Sequence, residues 1–181
     1  MSLRLPKSIE SDPRAPQLLR NLTTHTRLLW RESEIGTPVA GMTRELAEAL
    51  RNAYSAGQVV RSLEKAERTL AAEERGLRMA DCQIGLPRGV RVSRLLLLAD
   101  DGAERFYRKI ETLLHRYGQR VLAVRLEIDE RGLGELLFGP QRVARLLMLE
   151  HKQAVSSVLL AMASQWEEPG NPGGNADEES D

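Results

Sequence analysis

The 181-residue sequence is poor in the residues that most often announce a chemistry: one cysteine, three histidines, four lysines and only 4% aromatics. The lone Cys82 excludes an internal disulfide framework and a cysteine-based metal cluster. His25, His115 and His151 share no ligand-like spacing, so neither a metal site nor a cofactor is expected. No run of about 18 apolar residues reads as a membrane span, and no N-terminal apolar segment reads as a signal peptide. A cytoplasmic protein without membrane contact is therefore expected. There is also no nucleophile beside a base at a recognisable motif and no glycine-rich loop to cradle phosphate, so no catalytic residues and no enzyme are expected.

What is present is arginine. The formal net charge is zero, yet 22 arginines stand against the four lysines. Residues 51–145 carry 18 basic and 13 acidic side chains, a local excess of five positive charges, while residues 167–181 carry six acids and no base. A mildly basic body with an acidic tail is compatible with a nucleic-acid partner.

The length suits one domain. Pro6, Pro13, Pro16 and Pro38 punctuate residues 1–40, which read as an N-terminal extension; within it residues 17–30 form a candidate docking helix ending at Trp30. Residues 41–166 read as the folded domain. From Thr43, apolar residues Leu46, Leu50 and Ala53 recur at helical spacing up to Ala56-Gly57. A brief "QVV" suits a short strand, and Ser62 can cap a second helix carrying Leu63, Ala66 and Leu70. Residues 75–91, with three glycines and a proline, read as a loop.

Three apolar segments, 92–99, 121–128 and 143–149, read as strands, the first apolar enough to be buried on both faces. Between them, Phe106, Ile110, Leu113, Leu114 and Tyr117 mark a helix stopped by Gly118. "ERGLGELLFGP" reads as a short helix and turn, and Val155, Val158, Leu159 and Met162 as the stripe of a last helix. Residues 167–181 have nothing to bury and read as a disordered acidic tail. The fold class expected is α/β, a three-layer α-β-α sandwich around a small, mostly parallel or mixed sheet of about four strands.

Asp100-Asp101, at the end of "VSRLLLLADD", admits three readings. A phosphate loop fails, because only Gly102 sits in the turn and two carboxylates repel phosphate. A magnesium-holding receiver pair lacks its third Asp, since the third strand ends in Glu150-His151. A structural role at a helix start, accepting hydrogen bonds from free amides, is the reading the residues favour.

The order of elements over about residues 43–164, with "AGQVV" and a following glutamate before the second helix, "LLLLADD", and "LGELLFG", resembles the kink-turn RNA-binding ribosomal protein superfamily. That resemblance implies an RNA-binding protein. In the family, a Gly-x-Asn-Glu motif opens the second helix, and a loop before the last strand packs on a flipped-out nucleotide. Aligned from Ala56-Gly57, the motif positions are Ser62, Leu63, Glu64 and Lys65, and the loop spans Leu137 to Arg142, of which the resemblance implies Phe138, Gln141 and Arg142 as RNA-binding. Lys65 replaces an acidic acceptor, which removes base readout, whereas Arg61, Lys65, Arg68 and Arg142 can still contact phosphate. The expectation is structured-RNA binding by phosphate contacts, with Phe138 available for stacking. The alternative is a protein-interaction module on the same fold that has lost RNA recognition, docking a partner through residues 17–30 or the last helix.

Overall fold

A computed structural model describes residues 2–84 and 90–166. Its chain order is α1 (Lys7–Glu10), α2 (Ala15–Thr24), β1 (Thr26–Leu28), β2 (Gly36–Ala40), α3 (Arg44–Ser55), β3 (Val59–Val60) and α4 (Leu63–Ile84). Then follow β4 (Arg94–Leu98), α5 (Glu104–Tyr117), β5 (Val121–Leu126), α6 (Glu130–Phe138), β6 (Leu146–Leu149) and α7 (Lys152–Ala163). One six-stranded sheet runs in the order β1-β2-β5-β4-β6-β3. The inner strands β2, β5 and β4 are parallel, while β1, β6 and β3 each run antiparallel to their neighbours.

Alternation along the central strands divides the core. Leu95, Leu97, Leu122, Val124, Leu126, Leu147 and Leu149 face the layer of α1, α2, α3, α6 and α7. Leu96, Leu98, Val121, Ala123, Leu146 and Met148 face α4 and α5. The expected three-layer α/β sandwich is therefore present, with six strands where about four were expected. The period-2 alternation hides in the sequence because both faces of β4 are buried, leaving an unbroken apolar run.

The two additional strands come from residues 1–40. β1 and β2 form a hairpin, and β2 enters the sheet beside β5. Pro38 in β2 discourages a strand assignment, yet it does no damage where it lies. The Val39 N–H donates to His25 O toward β1, so the Pro38 nitrogen faces β5, and the β5 ladder begins only at Val39. The rest of this segment is also integrated: Leu5, Ile9, Leu18 and Leu22 are buried in the larger core cluster, and the Val92 N–H donates to Arg4 O. Residues 2–40 are thus part of the domain rather than an extension to it.

Residues 75–91 do not form the loop expected of them over their whole length. α4 runs through Gly76 to Ile84 instead of stopping near residue 74. Glu73 and Glu74 pin its middle by ion pairs to Arg94 and Arg120, which outweigh the helix penalty of a single glycine, about 0.5–1 kcal/mol. The remainder of that expected loop, residues 85–89, and the acidic tail, residues 167–181, lie outside the described residues. Among the described residues no helix is long and apolar enough to cross a membrane.

Helix boundaries follow local chemistry. Thr43 Oγ1 accepts from the Leu46 N–H at 3.2 Å, Ser62 Oγ from Lys65 N–H at 3.2 Å, and Asp129 Oδ1 from Gly132 N–H at 2.6 Å. Gly118, at φ +59°, ends α5 in a backbone region open to glycine. At the chain's far end, the Gln165 side-chain amide bonds both the N–H and the carbonyl of Gly41, closing the α7 end against the β2–α3 junction.

Candidate functional site

The helix start and the loop named from sequence do meet. Arg61, just before α4, donates to Val143 O at 2.9 Å, and its guanidinium lies 4.4 Å above the Phe138 ring. Tyr54 from α3 meets the other side of that cluster edge-on, 5.1 Å between ring centroids. Phe138 is half-buried under these two neighbours, so its ring is an anchor for Arg61 rather than a free stacking platform.

The loop itself is held stiffly. The Gln141 N–H donates to Glu135 Oε1 at 3.3 Å, with Gln141 at φ +63°. Gly134 lets the backbone of Arg142 and Val143 approach α6, because a Cβ there would stand 2.3 Å from Arg142 O. Gln141, Arg142 and Val143 are exposed on the rim. Ser62 is occupied as a helix cap. Glu64, Lys65 and Arg68 are exposed along α4, which carries Glu64 and Arg68 away from the Phe138 cluster and into a groove against α5.

The acid pair is structural, but it does not start α5. The cap of that helix is Ala103, which supplies no side-chain hydrogen bond. Asp100 Oδ1 instead accepts from Arg125 Nε at 2.7 Å and from Arg27, while the Asp100 carbonyl accepts from Arg125 Nη2 at 3.1 Å. Asp101 Oδ1 accepts from the Glu130 N–H at 2.8 Å, at the start of α6. The carboxylate does serve a helix N-terminus, one strand further along the chain than expected.

These bonds matter for function because of where they lie. α5 and α6, the helices that follow β4 and β5, pack on opposite faces of the sheet. The crevice between the two carboxyl ends is where open α/β sheets hold small ligands. Here Asp100 N–H to Ile128 O at 2.8 Å and Asp101 to Glu130 N–H stitch the two loops together. Beside this closed seam, a shallow cleft of about 410 Å³ includes Arg27, Trp30, Arg31, Gly102, Tyr107 and Arg125. Its deepest groups are satisfied: Tyr107 Oη donates to Ala99 O at 2.6 Å and accepts from the Gly102 N–H, and Arg125 lies 4.3 Å above the Tyr107 ring. Burial pushes the Tyr107 phenol up from its ordinary range.

The outer face of α4 and α5 is different. A groove of about 590 Å³ separates the helices, with Arg68 and Glu67 on one wall and Arg116 and Thr112 on the other. Three glutamates that could neutralise this face are turned away from it. Glu73 bonds Arg94 at 2.9 Å and Arg120 at 2.8 Å, Glu74 bonds Arg120 at 3.3 Å, and Glu111 accepts from Trp30 Nε1. That Trp30 hydrogen bond holds the Glu111 carboxyl below the usual range.

Arg105, Lys109 and Arg116 form an exposed row on α5, with Arg116 across the groove from Arg68 on α4; Lys65 is exposed elsewhere on α4, and none of the five has a carboxylate partner among the described residues. Glu64 and Glu67 in the groove moderate the excess. The α5 row was legible in principle: its spacing of four and seven residues falls opposite the apolar stripe of Phe106, Ile110 and Leu113.

No family model matches the sequence, and no curated protein is similar to it. Among solved structures, the chain is similar to a protein from Bacillus halodurans described as having unknown function. The identity is 16% and the TM-score 0.42, over 68% of this chain and 99% of that one. A likeness of that degree carries no functional argument.

Proposed function

We propose that this is a non-catalytic cytoplasmic protein that binds structured RNA through phosphate contacts on the outer face of the α4/α5 layer. The observation that carries the reading is that Lys65, Arg68, Arg105, Lys109 and Arg116 are exposed on the α4/α5 layer without carboxylate partners among the described residues, while Glu73, Glu74 and Glu111 bond groups elsewhere. Arg142 extends the basic character to the neighbouring rim, while Arg61 is held on Phe138 and Val143 O. Contacts of this kind position a nucleic acid without reading its bases. The kink-turn resemblance supports an RNA partner, and the altered motif at Ser62, Glu64 and Lys65 supports binding without base readout.

Fluorescence anisotropy against a labelled kink-turn RNA and a straight duplex of equal length tests this. Equal affinity for both is expected, falling steeply as salt rises; four to five phosphate contacts on duplex RNA give a slope of log affinity against log salt of about −4. The triple variant Arg105→Gln/Lys109→Gln/Arg116→Gln should flatten that slope by about three. Absence of binding at low salt would overturn the reading.

A second reading, a protein-interaction module, is favoured by one feature. β1 has nothing paired along its outer edge among the described residues, and Leu28 on it is 48% exposed. Of the docking segments expected from sequence, α2 buries Leu18 and Leu22 and packs on α7, so only the β1 part of residues 17–30 remains open. A dimer by light scattering, together with no RNA binding, would favour this alternative.

A further inference from the structure

We infer that the outer edge of β1 receives an extended segment of a partner protein in which apolar and acidic residues alternate. An occupant of this kind presupposes the open edge behind the protein-interaction reading, and is independent of whether the α4/α5 layer binds RNA.

The hairpin register fixes what the edge offers. The Val39 N–H donates to His25 O and the Leu29 N–H to Ile35 O, so the odd-numbered residues of β1 bond inward to β2. Thr26 and Leu28 stand opposite Pro38 and Gly36, and their N–H and C=O groups point away from β2. None of these four groups has a hydrogen-bond partner among the described residues. β1 also lacks the proline, lysine or bulge that commonly defends a free edge.

The side chains of β1 set the chemistry of the incoming strand. On one face Leu28 is 48% exposed. On the other, where Leu29 is buried in the α4/α5 layer, Arg27 lines the shallow cleft with Trp30, Arg31 and Arg125. Arg27 uses only Nη2 on Asp100, and Arg31 is exposed with no carboxylate partner among the described residues. On an added strand, the residue opposite Arg27 lies on the cleft face and its two neighbours on the Leu28 face. An acid flanked by aliphatic residues therefore matches both faces.

The chain's own acids leave that place open. Asp100 is held by Arg27 and Arg125, Glu104 by Arg108, and Glu32 and Glu34 lie in the turn beyond the strand. A second copy of β1 is a poorer occupant. Thr26–Leu28 carries no acid, and pairing two copies about Arg27 sets guanidinium against guanidinium.

The full chain is titrated with the capped peptide acetyl-Val-Glu-Val-Glu-Val-amide and followed by amide hydrogen exchange. Expected is protection of the Thr26 and Leu28 amides, while those of Arg27 and Leu29, which face β2, are unchanged. The same peptide with lysine in place of glutamate should not bind. Arg27→Gln/Arg31→Gln should weaken binding about fivefold, as the loss of two solvent-exposed ion pairs does. Leu28→Pro removes one outward donor and leaves the β2 ladder in place, so it should abolish protection at Thr26; Arg27 and Leu29 exchange reports that the hairpin is intact. Equal binding of the lysine peptide would overturn the acidic partner, and no protection at about 1 mM peptide would overturn the inference as a whole. In that case, Thr26 and Leu28 amides protected only as protein concentration rises would identify a second copy as the occupant and keep the protein-interaction reading. Amides exposed at every concentration would remove that reading too, and the RNA reading would still be decided by anisotropy.

Discussion

The two faces of the sheet are held by different physics. Toward α1, α2, α3, α6 and α7 the strands present leucine, valine and alanine, and the contact is one of shape. Toward α4 and α5, apolar residues share the face with Arg94, Arg120 and Arg125, whose side chains are between 8% and 17% exposed and bound to Glu73, Glu74 and Asp100. A layer docked by shape can leave its outer surface indifferent. A layer docked by charge commits its glutamates to the arginines beneath it, so they do not serve the cations on its outer surface. The glutamates that fasten α4 to the sheet are thereby unavailable to the exposed cations of the surface proposed to meet RNA.

One substitution made on both faces should have opposite signs. Gly134→Ala places a Cβ 2.3 Å from Arg142 O and 2.5 Å from Val143 Cα. These are backbone atoms of a braced loop, which cannot turn aside as a side chain can. A loss of about 3 kcal/mol is expected in urea unfolding. On the other face, Gly76→Ala meets nothing within 4 Å in the exposed middle of α4, and should gain about 0.5–1 kcal/mol from helix propensity. A neutral Gly134→Ala would show that α6 and its loop are not packed by shape at all.

Glu73→Gln probes the charged face with an intermediate effect. Both oxygens of Glu73 are used, one by Arg94 and one by Arg120, and Arg120 keeps only Glu74 and Leu70 O when the charge is removed. A loss of about 2 kcal/mol is expected, because one carboxylate serves two poorly exposed guanidiniums and only Arg120 retains another, Glu74. Glu48→Gln, which breaks the fully solvated pair with Arg44, should cost less than about 0.5 kcal/mol. Thermal melts of the two variants side by side check the difference, and equal losses would mean that the α4 network is no better than a surface pair.

How far all this could be read from the sequence follows the same division. Strands β4, β5 and β6 and helices α3, α5, α6 and α7 declare themselves through apolar runs and period-3.6 stripes, while Ser62 marks the start of α4 and Gly118 the end of α5. β1 and β2 do not, because three exposed residues and a five-residue strand containing Pro38 carry no periodic signal; their place is decided by pairing with each other and with β5. The extension of α4 past Gly76 depends on ion pairs to Arg94 and Arg120, which are about 20 and 45 residues away in the chain and invisible to any local window. At the candidate site, the meeting of Arg61 with the loop after Phe138 was legible from element order. That Arg61 would be fixed on Phe138, and that the free charges would stand on α5, depends on where the glutamates turn, which only the packed structure reveals.

The smallest effect is a pH dependence confined to alkaline conditions. Tyr107 is 3% exposed, and its hydroxyl spans Ala99 O and the Gly102 N–H beneath Arg125. Burial opposes the phenolate, so the folded chain holds this proton above the pH at which the unfolded chain releases it, about 10. Below about pH 10 both states keep the proton and Tyr107 adds no slope. Above it the unfolded state binds fewer protons, so stability falls as pH rises, until the folded pKa is passed. The charged face contributes to this directly, since ionising Tyr107 would sever the bond to Ala99 O at the point where Asp100, Arg125 and Arg27 join. Urea unfolding at steps between about pH 9 and 11 should show a downward slope for the native chain and a flatter one for Tyr107→Phe. Identical slopes would mean that the ring is reached by water, and that the seam between the β4 and β5 loops opens in solution.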